Sequence, residues 1–116
     1  MDIIEVKNKM EKYINELDKM RDHIKERGVK RAQSISEYRK EVAKTIIGMR
    51  MGKTYEVDGV HTVDNPQASI IIKLAQGVCW EQKLKMETCE AEWKSLMSNI
   101  ETTKAMLNAL QSLNKQ

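Results

Sequence analysis

The side chains whose type and spacing most clearly indicate a chemistry are basic. They begin in the run KERGVKR and recur along both halves of the chain, at Lys25, Arg27, Lys30, Arg31, Arg39, Lys40, Lys83 and Lys85. Cations at helical spacing can contact successive phosphates of a nucleic acid strand. Glu37 and Glu41 interrupt the series, so a solvated helix face is the alternative interpretation. The net charge of +3 does not by itself indicate nucleic acid.

Residues that could bind a metal or perform catalysis are scattered. Cys79 and Cys89 fall in one predicted helix, separated by about 15 Å of helical rise. That distance excludes a disulfide between them, so reduced thiols and a cytoplasmic location are predicted. His23 and His61 are isolated, and the run GMRMG lacks the pattern of a phosphate-binding loop. We therefore predict no catalytic residues, no metal site, no cofactor and no enzyme activity.

Two long amphipathic helices are predicted to position these side chains. In the first, apolar residues alternate at spacings of three and four, at Ile3, Val6, Met10, Tyr13, Leu17, Met20 and Ile24. This spacing is typical of a helix packed against a partner helix. The apolar pattern shifts around Gly28 and resumes at Ile35, which indicates a stutter. We predict one helix from about residue 3 to 49, bent or locally unwound near Gly28, with two helices as the alternative.

The second helix is predicted from about residue 66 to 113. Asp64 or Asn65 would be its N-cap and Pro66 its first residue. The three-and-four spacing then continues without a break through Ile72, Ala75, Cys79, Gln82, Met86, Cys89, Trp93, Leu96, Ile100, Thr103, Leu107 and Leu110. This stripe predicts a buried seam along the whole helix.

The segment TYEVDGVHTV between the helices predicts a β-hairpin over about residues 53–63. Asp58-Gly59 is a strong signal for a two-residue type I′ turn. In that register Val57 would face Val60, Glu56 would face His61 and Tyr55 would face Thr62. Tyr55, Val57 and Val60 would then form an apolar face that needs a neighbour, because an isolated two-stranded hairpin is marginal in water.

The predicted fold is mainly α: a single domain of residues 1–116, built as a long antiparallel helical hairpin (coiled coil) with a small two-stranded β-hairpin at its tip. Apolar positions outside the seams are Ile14, Ile47, Ile70, Trp80, Met97, Met106 and Leu113. They predict a homo-oligomer, since two helices bury only a thin core. Trp80 joins the apolar face of the hairpin as a predicted partner-binding residue, with packing under the hairpin as its alternative. No membrane span is predicted.

Two resemblances suggest functions. The order helix, β-hairpin, helix is similar to that of a β-type prefoldin subunit, which implies a holdase chaperone. The basic first helix and the closing run AEWKSLMSNIETTKAMLNALQSLNK resemble small phage-encoded helical accessory proteins of the recombination-mediator kind. That resemblance implies a ring-like oligomer that binds single-stranded DNA or RNA through the basic residues named above. A short chain without enzyme motifs would also suit a phage inhibitor of a host defence protein.

We therefore predict a non-enzymatic, phage-type accessory protein that acts by binding, with single-stranded nucleic acid as the expected partner. The alternative is a protein-binding module. It would be either an anti-CRISPR-like inhibitor of a host defence complex or a prefoldin-like holdase.

Overall fold

The computed structural model describes residues 2–57 and 59–115. Helix α1 covers Ile3–Arg50, strand β1 Tyr55–Glu56 and strand β2 Thr62–Val63. A 3₁₀ turn at Ala68–Ile70 leads into α2, Ile71–Val78, and α3 follows at Trp80–Asn114. The prediction of a mainly helical fold, with a long helix pair and a small antiparallel sheet, is confirmed. The oligomeric state stays a prediction.

The contacts of the chain group into two compact units. Unit 1 holds residues 1–29 and 91–116, and unit 2 holds residues 30–90. Unit 1 is built from the first part of α1 and most of α3. Unit 2 is built from the rest of α1, both strands, α2 and the start of α3. The predicted single domain stays a prediction.

Helix α1 begins with a side-chain cap. The backbone N–H of Glu5 donates to Oδ1 of Asp2 at 2.8 Å, which satisfies one of the donors that the first turn leaves unpaired. The helix then runs without interruption through Gly28 to Arg50. Of the two alternatives for this region, one continuous helix is the correct one.

After Gly28, helix α1 covers the apolar positions at which the pattern was predicted to resume, since Ile35 is half-buried and Met49 is buried, and it also covers a second row of residues. The three-and-four spacing continues beyond Ile24 through buried or half-buried residues that are mostly polar or small: Arg27, Arg31, Ser34, Tyr38, Glu41, Thr45 and Gly48. An apolar pattern misses these positions, because their burial depends on hydrogen bonds or on the lack of a side chain. The seam therefore keeps its period while its chemistry changes.

The predicted start of the second helix is also wrong. Asn65 adopts a left-handed conformation with φ 45°, and Gln67 is extended at φ −61° and ψ 142° without a side-chain capping bond. Proline disfavours the α-helical region in the residue before it, so the chain stays non-helical until the 3₁₀ turn. The α-helix starts only at Ile71, and Cys79 (φ −91°, ψ 30°) separates α2 from α3.

Unit 1 is an antiparallel helix pair with an apolar seam. Val6, Leu96 and Leu110 are buried in it. Trp93 lies against Gly28, where an added Cβ would be 3.3 Å from the indole ring. The remaining predicted seam residues of this unit are half-buried or buried, apart from the terminal Ile3, which is 66% exposed. The predicted stripe therefore describes this unit well.

Unit 2 has a compact apolar cluster at the end of α1. Met49, Ile71 and Ala75 are buried in it, and the half-buried residues around them are Val42, Ile46, Tyr55, Val63, Leu74 and Val78. Ile71 takes the buried position that the stripe predicted for Ile72, which is 57% exposed. The later start of the helix accounts for this one-residue change.

The two strands pair in a register one residue away from the prediction. Tyr55 lies opposite Val63 and Glu56 lies opposite Thr62, while the N–H of Val57 donates to the carbonyl of His61 at 2.9 Å. The loop is therefore longer than a two-residue type I′ turn. Within it, Gly59 has φ +82°, and Asp58 lies outside the described residues. The observed register puts Tyr55 and Val63 together on the apolar cluster, and burial of that face decides the pairing.

Candidate binding surface

The predicted nucleic-acid-binding residues are found in both units. Lys25 and Arg27 belong to unit 1, and the other members belong to unit 2. Arg27 Nη1 donates to the backbone carbonyl of Glu92 at 3.4 Å. Lys85 Nζ donates to Glu37 at 3.2 Å. These basic side chains therefore contribute to packing between helices.

Arg31 forms the best-defined ion pair of unit 2. Its Nε donates to Oε2 of Glu90, and Nη2 donates to Oε1 of the same carboxylate at 3.3 Å. This two-pronged hydrogen bond with Glu90 raises the pKa of the Arg31 guanidinium. Arg31 and Lys85 therefore pair with different carboxylates, Arg31 with Glu90 and Lys85 with Glu37.

The other predicted basic residues are exposed. Lys25 is exposed in unit 1, and Lys30, Arg39, Lys40 and Lys83 are exposed in unit 2. In α1, Lys40 and Lys44 lie one helical turn apart, which puts them on the same face. Solvent-exposed cations are therefore present in both units.

Polar side chains complete the seam of unit 2. Ser34 is 2% exposed and donates to the carbonyl of Arg31 at 2.8 Å. Thr45 donates to the carbonyl of Glu41 at 2.8 Å, and its hydroxyl lies 3.5 Å from Sγ of Cys79. Cys79 is buried, Cys89 is half-buried, and both are free thiols. No group of His, Cys, Asp or Glu that could hold a metal occurs among residues 2–57 and 59–115.

The predicted partner-binding residues divide into covered and exposed ones. Tyr55 packs on the apolar cluster, and Val57 packs against Gly77, where an added Cβ would be 3.3 Å from Cγ1 of Val57. Val60 is 81% exposed and Trp80 is 49% exposed. The predicted apolar face is therefore observed only in part: Tyr55 and Val57 are half-buried, and the longer loop leaves Val60 exposed.

A groove that sequence reasoning missed lies between the end of α1 and β1. Its volume is about 510 Å³, and it is lined by Glu41, Lys44, Thr45, Ile47, Gly48, Met51, Lys53 and Tyr55. Tyr55 lies so close to Gly48 that an added Cβ would be 1.8 Å from the phenolic oxygen. Glycine therefore lets the tyrosine ring rest on the helix backbone. The exposed Ile47 was a sequence signal for this site, but Lys53 and Tyr55 reach the groove from beyond the end of α1.

Comparisons with protein-family models, with curated proteins and with solved structures found no match for this chain. Among the described residues, no helix combines the length and apolar character needed to cross a membrane.

Proposed function

We propose that this chain is a non-enzymatic binding protein that recognises another protein through the groove of unit 2. The observation that carries this proposal is the exposure of large apolar side chains along the groove. Ile47 is 59% exposed and Met51 is 73% exposed, and both line the groove with Tyr55. Exposed apolar side chains beside a defined groove are typical of protein-interaction sites.

The groove has a fixed side and an adaptable side. Tyr55 is held by the buried cluster of Met49, Ile71 and Ala75, so its ring presents a preformed surface. Met51 is unbranched and exposed, and methionine adapts its shape to different partners. This combination favours an apolar anchor residue of a partner protein over a small polar substrate.

Photo-crosslinking in the cells that produce this protein tests the proposal. A benzophenone amino acid at Ile47 should capture a discrete partner, and the same group at the exposed Asn15 of unit 1 should not. With the partner then purified, Met51→Asp should weaken its binding about 10- to 100-fold. Identical crosslinks from both positions, or full affinity of the Met51→Asp protein, would contradict the proposal.

Single-stranded nucleic acid remains a second candidate, supported by the exposed Arg39 and Lys40 of α1. Binding of a labelled single-stranded oligonucleotide at two salt concentrations tests it. The slope of log affinity against log salt concentration reports the number of phosphate contacts. Replacing Arg39 and Lys40 with Ala should reduce that number by about two, while Met51→Asp should leave the slope unchanged. Arg31 is unsuitable for this test because it pairs with Glu90. No binding at low salt would remove this candidate.

We also propose that the protein forms homodimers through the outer face of α3 in unit 1. Charged residues are missing from that face, whose exposed positions are Ala91, Ser95, Ser98, Thr102, Met106, Ala109 and Leu113. Successive positions are 4, 3, 4, 4, 3 and 4 residues apart, and this order is the same from either end of the helix. An antiparallel copy related by a two-fold axis would therefore present matching positions. Leu113 would then meet Ala91 of the second copy, Met106 would meet Ser98, and Thr102 would meet itself.

Sedimentation equilibrium tests this dimer. Thr102→Glu places two like charges at the symmetry axis and should weaken the dimer about 100-fold. The matched control is Asn15→Glu on the exposed, charged face of α1, which should leave the dimer intact. Crosslinking checks the direction: cysteines introduced at Ser95 and Ala109 in separate copies should join to each other faster than two Ser95 cysteines do. A monomeric wild-type protein would exclude the dimer.

A further inference from the structure

The groove of unit 2 carries an excess of positive charge at its rim. Lys44 and Lys53 line it together with one carboxylate, that of Glu41. Glu41 already pairs with Lys44 within α1, with 3.7 Å between Nζ and Oε1. Lys53 forms no ion pair with any residue among 2–57 and 59–115.

The positions of these cations make them available to a partner. The side chain of Lys44 is 63% exposed although it pairs with Glu41, and Lys53 is exposed. Ion pairs that are this exposed contribute little stability, so Lys44 can exchange Glu41 for a partner carboxylate at little cost. The groove therefore presents both cations and the apolar side chains of Ile47 and Met51 to a partner.

Resting on the proposed function, we infer that the partner segment which enters this groove is acidic and apolar. Its apolar side chains would pack on Ile47, Met51 and Tyr55, and its carboxylates would meet Lys44 and Lys53. Charge complementarity of this kind excludes basic segments, because like charges at the rim raise the free energy of the complex. A nucleic acid strand offers the charge but no aliphatic side chain for the groove.

The groove volume supports a peptide segment as the occupant. About 510 Å³ is within the usual range for sites that take a few large side chains. Gly48 lets the ring of Tyr55 rest on the helix backbone, and this ring helps to line the groove. The partner would therefore present two or three apolar residues flanked by Asp or Glu.

A matched pair of fluorescent peptides tests this inference on the intact 116-residue chain. Both contain the same leucines, flanked by glutamates in one peptide and by lysines in the other. The acidic peptide should bind at least about 10-fold more tightly at low salt, and high salt should reduce the difference. Lys53→Glu should abolish the preference. Lys19→Glu, which makes the same charge change on exposed α1 in unit 1, should preserve it.

The possible outcomes separate this inference from the proposed function. If both peptides bind equally and Met51→Asp weakens both, the groove binds protein but the preference for acidic segments is wrong. If neither peptide binds and a benzophenone at Ile47 captures no partner, the proposed function is wrong as well. If the basic peptide binds better, the inferred charge of the partner is reversed and the inference is overturned.

Discussion

The two units of this protein stabilise the same kind of helix seam in different ways. In unit 1 the seam is apolar and periodic, with Val6, Leu96 and Leu110 buried. In unit 2 much of the seam is polar, with Ser34 and Thr45 buried and Arg31 paired with Glu90. Unit 2 adds a compact apolar cluster and a small sheet that unit 1 lacks among the described residues. Most of the burial in unit 1 follows from residue type, whereas burial of the polar seam in unit 2 requires particular partners.

This difference indicates where substitutions should matter. An apolar seam tolerates apolar substitutions that conserve side-chain volume, since the hydrophobic effect is not directional. A seam that contains buried hydroxyls and a charged pair loses free energy when either partner is removed. Substitutions of the same type, made at matched positions in the two units, should therefore have unequal effects.

The largest inequality is expected for glycine. Gly48→Ala in unit 2 would put Cβ 1.8 Å from the hydroxyl of Tyr55, so the ring must shift from its place on the apolar cluster. We expect a net loss of about 1–3 kcal/mol in the free energy of unfolding. Gly28→Ala in unit 1 puts Cβ 3.3 Å from Trp93, and the helix-propensity gain of about 1 kcal/mol should offset that tight contact.

Chemical denaturation followed by circular dichroism measures this glycine comparison. The double variant Gly48→Ala, Tyr55→Ala is the control, because without the ring the added methyl group has nothing to displace. Equal losses from Gly28→Ala and Gly48→Ala would show that contact with Tyr55 does not set the effect.

A smaller inequality is expected for the two buried threonines. Thr45→Val in unit 2 removes the hydrogen bond to Glu41 and the contact with Cys79, and should cost about 1 kcal/mol. Thr103→Val replaces a 6% exposed threonine between apolar turns of unit 1 and should change stability by less than about 0.5 kcal/mol. Thermal unfolding of both variants gives the comparison. A larger loss for Thr103→Val would contradict the view that unit 1 is the apolar one.

The smallest effect is expected for the partly exposed ion pair of unit 2. Glu90→Gln keeps the shape of the side chain and removes its charge, so the midpoint of thermal unfolding should fall slightly at low salt. At high salt the difference from wild type should shrink, because dissolved ions screen exposed charges. The bond to Glu90 raises the pKa of Arg31, so its stabilising effect is present below the ordinary pKa of arginine and is lost only at still higher pH. If high salt left the difference in unfolding midpoint between Glu90→Gln and wild type unchanged, the substitution would have removed packing contacts rather than an electrostatic interaction.

The candidate site was less predictable than the fold. The sequence showed Ile47 as an apolar residue outside the helix seam and Trp80 as a possible partner-binding residue. It did not show the groove, in which Ile47 lies beside Met51 and Tyr55 from the turn and strand that follow α1. The basic residues were visible as a series, yet the sequence could not show that Arg31 meets Glu90, 59 positions away. Pairing at such a separation depends on the register of two helices, which no local pattern contains.

The sequence by itself determined the elements that depend on periodicity. The stripe from Ala75 to Leu110 and the spacing from Val6 to Ile24 predicted helices and their buried faces, because each turn of a helix repeats the same geometry. The tertiary structure alone decided the strand register, the start of α2 and the polar seam of α1. In each case the local sequence allows alternatives of nearly equal free energy, and contacts with a distant part of the chain select one of them. These contacts are those of Tyr55 and Val63 with the apolar cluster, of Thr45 with Cys79, and of Arg31 with Glu90.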